Sequence, residues 1–304
     1  MNPSKPSSPS HSIAIGVLCG AGAALFWAAG FVAARHGIDI GFTPADLTFH
    51  RCFWAGVVLL PLAFQGRLRD LNGVGWGRSV GWGRSVVLTF FGGIGIAFVS
   101  YSGFPLVPLG HGGIIQPSTA ALLGIVLATV VLHERLPPRR AGGAAVIVLG
   151  LVVIGGEAVT TIGVHGVAGD LLFVLAGSFF ATFGMFLRKW RVPPTRAMVA
   201  VSVVSLAILP LYWALAGFGR IAALGLWENL LQAVLQGLLA GPGAIYLFTR
   251  SVVLLGASRA AVFPTLVPPC VLLIGWIALG VVPSLLQFVG LAVVLLGFRL
   301  TQRA

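Results

Sequence analysis

Of the chain's 304 residues, 58% are hydrophobic and 9% are charged, with a net charge of +12 and a mean hydropathy of +1.01. Soluble domains carry about 25% charged residues, so a water-facing globule is excluded. The positive charge sits in short loops between oily runs, which is the signature of membrane topology and not of nucleic-acid binding.

Residues 1–12, "MNPSKPSSPSHS", are Pro/Ser-rich and are expected to form a disordered tail. Ten apolar runs follow, at 13–34, 44–64, 86–108, 112–132, 141–157, 167–187, 197–217, 229–249, 258–279 and 283–300. A helix needs about 20 residues to cross about 30 Å of hydrocarbon. Backbone groups in lipid must be satisfied within the segment, so each run is predicted to be a transmembrane helix. The first run is too long for a signal-peptide core and lacks a clean cleavage site, so it is expected to remain as a span.

The second run opens with Asp46, His50 and Arg51. Asp46 and His50 share a helical face, with Arg51 about 100° round. Two readings stand. Either the trio is an outer gate or anion-binding point, with His50 able to titrate, or Asp46 caps the helix while Arg51 snorkels to the interface. The next loop holds a tandem hexapeptide, "VGWGRSVGWGRS" (74–85), which is either an interfacial anchor through Trp76 and Trp82 or a neutral duplication. The turn after the fourth run holds Glu134 and Arg135, an ion pair that locks the turn or gates it. Cys19, Cys52 and Cys270 fall in apolar runs without paired spacing, so buried thiols are expected and neither a disulfide nor a metal site.

If the spans alternate, sixteen of the nineteen Lys and Arg fall on the side of the N-terminal tail. The positive-inside rule then makes both termini cytoplasmic. Self-comparison finds a repeat. "GVLCGAGAALFWAAGFVAAR" (16–35) aligns with "GDLLFVLAGSFFATFGMFLR" (169–188), and Pro117, Gly143 and Gly150 align with Pro264, Gly290 and Gly297. Five spans per half is odd, so the second half enters from the opposite face. The predicted fold is an all-α membrane protein of ten transmembrane helices in two inverted five-helix repeats.

The stretch 110–154, with Pro117, Glu134, Gly143 and Gly150, resembles the EamA-type members of the drug/metabolite transporter superfamily. Residues 256–297 look like its second copy, with Pro264, Gln287, Gly290 and Gly297, and Arg51 matches the family's span-two arginine. Two features depart from the family pattern: Val281 stands where the second copy's acid belongs, and His133-Glu134 replaces a Gly-Glu pair. The resemblance implies a first repeat at 13–157, a second at 158–300 and a cytoplasmic tail at 301–304. It also implies a cavity lined by spans 1, 3, 4, 6, 8 and 9. The polar and aromatic groups placed there are Trp27, Tyr101, Gln116, Ser118, Thr119, Phe180, Gln236, Tyr246 and Thr265. Pro117, Pro242, Pro264 and Pro268 are expected to kink their helices.

What the resemblance implies is an inner-membrane exporter of a small metabolite, such as an amino acid or derivative, working by alternating access. A lipid or lipid-linked-intermediate flippase is the same-class alternative, and an integral-membrane enzyme or assembly subunit the different-class one. The expected partners are a small-molecule substrate and the lipid bilayer, with no nucleic acid; a homodimer is compatible with the pattern. No cofactor or metal is expected, because the histidines are scattered and no HExxH, phosphate loop or Gly-x-Ser-x-Gly occurs. No Asp or Glu falls near the centre of a run, which favours facilitated diffusion, exchange or coupling through His50.

Overall fold

The computed structural model describes residues 9–64, 82–133, 137–157, 159, 163–260 and 262–302, and all regular structure among them is helical. In chain order the long helices are α1 (Pro9–Asp39), α2 (Pro44–Phe64), α3 (Gly83–Gly103), α4 (Leu109–Val130) and α5 (Pro138–Glu157). They continue as α6 (Val164–Lys189), α7 (Pro194–Leu215), α8 (Leu226–Leu255), α9 (Phe263–Leu279) and α10 (Leu285–Gln302). Seven of these are long and apolar enough to cross a membrane by length and composition: α1 and α3 through α8. α9 and α10 are shorter apolar helices.

Helix ends follow local chemistry. α1 runs past the expected stop at 34, because Arg35 and Asp39 pair one turn apart at 2.9 Å and extend the helix. It stops where Gly41 takes φ +110° and the Phe42 amide bonds back to the Gly37 carbonyl at 2.9 Å. α6 ends the same way, with Arg191 at φ +53° and the Val192 amide on the Leu187 carbonyl at 2.9 Å. Residues 41 and 191 occupy equivalent places in the two halves, so the repeat extends to backbone conformation.

α3 and α8, repeat counterparts, each contain a π-helical stretch, at Phe90–Ile94 and Ala233–Gly243. At these levels Gly93 presses against Val201 and Ser205 of α7, and Gly237 against the His50 carbonyl and Trp54 of α2. The packing as a whole has the same symmetry. α1 packs on α8 and α9 as α6 packs on α3 and α4, α2 meets α8 as α7 meets α3, and α2–α7, α4–α9 and α5–α10 pair with each other.

The closest of these pairings is α5 on α10. Gly143 abuts the Gly297 carbonyl and Thr301, while Gly150 abuts the Gly290 carbonyl and Val294. As numbers rise along α5 they fall along α10, so these counterparts run antiparallel. Glycines seven residues apart leave a groove in each helix into which the other backbone sinks, the usual route to close approach where lipid supplies no hydrophobic drive. The outer surface stays apolar, with Leu18, Val152, Trp213, Ile277 and Leu285 each more than 60% exposed. The core lies between α1, α3, α4, α6 and α9, around Ala28, Tyr101, Phe104, Ile114, Phe173 and Val271.

Candidate functional site

The Thr43-Pro44-Ala45-Asp46 start of α2 forms a capping box. The Thr43 amide donates to Asp46 Oδ2 at 2.7 Å, and the Asp46 amide returns a bond to Thr43 Oγ1 at 3.3 Å. The Tyr212 hydroxyl donates to Asp46 Oδ1, and Arg220 Nε stands 3.8 Å from Oδ2. Asp46 is therefore 1% exposed and held by α7 and the short helix Gly219–Ala223. Asp46→Asn keeps a single acceptor oxygen for these donors. It is expected to cost about 1–2 kcal/mol, as cap losses do, and to lower the thermal unfolding midpoint in detergent by a few degrees.

His50 is fixed at both ring nitrogens. Trp54 Nε1 donates to Nδ1 at 3.1 Å, and Nε2 lies 3.0 Å from Asn229 Oδ1. Asn229 spends its Nδ2 hydrogens on the carbonyls of Ile221 and Gly225, both at 2.6 Å, so Oδ1 must accept and Nε2 must donate. An Nδ1 that accepts an indole proton carries none of its own, so His50 sits here as the neutral Nε2–H form. Taking a second proton at Nδ1 means breaking the Trp54 bond, which weighs against the reading of His50 as able to titrate near neutral pH.

Arg51 points elsewhere. The half-buried Arg51 faces the cleft between the halves, on the side where Tyr101 lies. The Tyr101 hydroxyl donates to Gln236 Oε1 at 2.8 Å, and Gln236 Nε2 donates to the Gly30 carbonyl at 2.7 Å. One polar chain thus ties α3, α8 and α1 together. Arg51 lines this cleft of about 50 Å³ with Cys52, Gly93, Phe183, Ser202 and Pro242, to which both halves contribute. Asp46, His50 and Arg51 are adjacent in sequence, but the structure sends them to three separate sets of partners.

The remaining expected lining residues divide. Gln116 accepts from Ser100 Oγ at 2.6 Å, and Ser118 and Thr119 are buried on α4 with hydroxyls that find no partner. Trp27 meets Phe248 with ring centroids 5.6 Å apart. Phe180 is 48% exposed and neighbours Phe183 of the cleft, while Tyr246 is 56% exposed. Thr265 bonds back to the Val262 carbonyl at 2.6 Å. Among the prolines, Pro117 sits inside α4 and Pro242 inside the π-helical stretch of α8, next to non-helical Gly241. Pro264 and Pro268 stand in the first turns of the 3-10 segment Phe263–Leu266 and the α-helical segment Val267–Leu279 that together make up α9, where a missing N–H costs little.

Glu134 and Arg135 lie outside the described residues, as do residues 1–8 and most of the tandem hexapeptide. Its Arg84 is described and lies over the Trp190 ring, 5.4 Å from the centroid, so it caps an aromatic at the end of α6.

One cluster escaped the sequence reading. His111 of α4 holds Asp170 of α6 with Nδ1 2.8 Å from Oδ1, and faces Glu157 of α5 with Nε2 3.5 Å from Oε2. His111 is 0%, Glu157 8% and Asp170 8% exposed. The signal in the sequence was positional: all three lie at run ends that alternation brings to the same side.

Residues 14–156 and 167–302 each match the EamA-like transporter family. No curated relative matches. One solved crystal structure of a protein, 22% identical, covers 97% of this chain and 98% of its own at a TM-score of 0.62, a likeness of fold alone.

Proposed function

Because the chain belongs to the EamA-like transporter family, we propose that it exports a small metabolite bearing an anionic group, such as an amino acid or derivative, by alternating access. The observation that carries this reading is Arg51, a cation lining a cleft to which both halves contribute. Among the described residues no acid lines that cleft, so the guanidinium keeps capacity for an incoming carboxylate. Small-molecule pockets run to about 300–1,000 Å³, and about 50 Å³ holds little more than a water or two. Loading therefore requires the halves to part. The π-helical stretches of α3 and α8 border the cleft and supply places to bend.

Ten crossings in two inverted repeats, at 13–157 and 158–300, put both termini in the cytoplasm of a cell whose plasma or inner membrane holds the protein. The helix pairing that recurs five helices on, and the antiparallel course of α5 and α10, support this topology. Labelling single cysteines added near each terminus, in right-side-out and inverted vesicles, is expected to find both on the cytoplasmic face; opposite faces would sink the topology. The substrate reading is tested by counterflow in reconstituted vesicles with a radiolabelled amino-acid panel. With the corresponding decarboxylated amines included in the panel, accumulation of at least one carboxylate-bearing member is expected, and accumulation of the amines alone would refute the role given to Arg51.

A further inference from the structure

Two of the chain's seven acidic residues meet a histidine in the buried cluster of α4, α5 and α6, away from the Arg51 cleft. We propose that His111, Glu157 and Asp170 form a proton-binding site, and, resting on the transporter reading, that this proton is exchanged during transport.

The hydrogen-bond inventory carries the argument. His111 Nδ1 donates to Asp170 Oδ1, while Asp170 Oδ2, His111 Nε2 and Glu157 Oε2 are all buried without a hydrogen-bond partner. Nε2 and Oε2 face each other across 3.5 Å. A proton on either atom gives the other a donor, so one bound proton, with the pair drawn in from 3.5 Å, satisfies two orphaned buried groups at once. Charge points the same way. An imidazolium with two carboxylates leaves one net negative charge in a site more than nine-tenths buried, and one further proton brings the set to neutrality.

The surroundings supply no other counter-charge among the described residues. α10 brings Gln287, whose side chain abuts Gly110, and α9 brings no charged side chain. α3 brings Tyr101, whose hydroxyl is committed to Gln236. α1 brings Arg35 and Asp39, which bind each other, with Arg35 also on the Phe104 and Val107 carbonyls. α6 carries His165, which is exposed. The three side chains do not converge into a set that could hold a metal ion. Asp170 is the sole charged residue among those lining a groove of about 430 Å³ between α5 and α6, otherwise walled by Val152, Val167, Leu171 and Val174. The repeat mates of Asp170 and His111 are Val17 and Ser258, so the site belongs to one half only.

The test is pH-difference infrared spectroscopy of the full chain in lipid vesicles. Wild type is expected to give a protonated-carboxyl stretch that grows as pH falls. Glu157→Gln or Asp170→Asn removes or shifts that band, and His111→Gln moves the pH at which it grows. A wild type that shows neither the carboxyl stretch nor imidazolium bands as pH falls, or folded variants that keep the wild-type bands unaltered, overturns the site. If an amide variant fails to fold, Asp170→Glu and His111→Gln read the same band. Coupling is read separately, with an amino-acid mixture added to vesicles loaded with a pH-sensitive dye. Proton movement in wild type and its loss in Glu157→Gln support exchange. Amino-acid uptake without protons overturns coupling, and proton binding then stands or falls with the infrared band. Absence of all uptake counts against the transporter reading, not against the site.

Discussion

Replacing Arg51 by alanine is expected to cut the initial rate of counterflow about 10–100-fold while folded yield changes less than two-fold. The first figure corresponds to one charge-assisted hydrogen bond to substrate, about 1.5–3 kcal/mol. The second follows from what the rest of the site does without it. Tyr101 still donates to Gln236, and Gln236 still reaches the Gly30 carbonyl, so neither is orphaned by the truncation. Arg51→Lys separates charge from shape. A compact ammonium keeps the sign and loses the bidentate fork, so partial activity places recognition in the charge, and none places it in the planar geometry. Equal loss of activity and of folded protein in Arg51→Ala would reduce the residue to an anchor.

The largest effect on stability is expected at the α5–α10 contact. A Cβ at Gly297 would lie 2.8 Å from the Ile147 amide nitrogen and 2.9 Å from the Gly143 carbonyl; at Gly143 it would lie 2.7 Å from the Thr301 amide nitrogen. Backbone cannot swing aside as a side-chain tip can. Overpacking of this kind costs about 1–3 kcal/mol or more, and Gly297→Leu is expected to lower the unfolding midpoint by roughly 3–10 °C. Gly142→Leu is the control. It changes the neighbouring residue of α5, where an added Cβ meets nothing within 4 Å. If both substitutions destabilise alike, the close contact is not what holds these helices.

How much of this is legible in the sequence varies with the kind of interaction. Long apolar runs show where helices form, because lipid permits little else, and α2 matches its run end for end. Ends that depend on a side-chain pair escape that reading, as at Arg35–Asp39. Asp46 as a cap is readable from Thr-Pro-Ala-Asp, because a capping box is local in sequence. The placing of Arg51 on the cleft is not. It depends on α8 settling on α2 through Gly237, a contact between residues far apart in the chain. The same distance hides His111, Glu157 and Asp170. Each looks like a polar residue at the end of an oily run, and only three-helix packing makes them a group. Ionisable groups gathered at one depth are visible along a single run, but not across three runs whose mutual rotation the sequence leaves open.

The glycine seam between α5 and α10 also bears on biogenesis. More than a hundred residues separate the end of one helix from the start of the other. At ribosomal speeds of about 5–20 residues per second, α5 waits roughly 6–25 seconds with its notched face turned to lipid or to a chaperone. The nascent protein thus stays unsealed along that edge until α10 is delivered, and anything that stalls elongation between them prolongs the interval in which the edge can find the wrong neighbour.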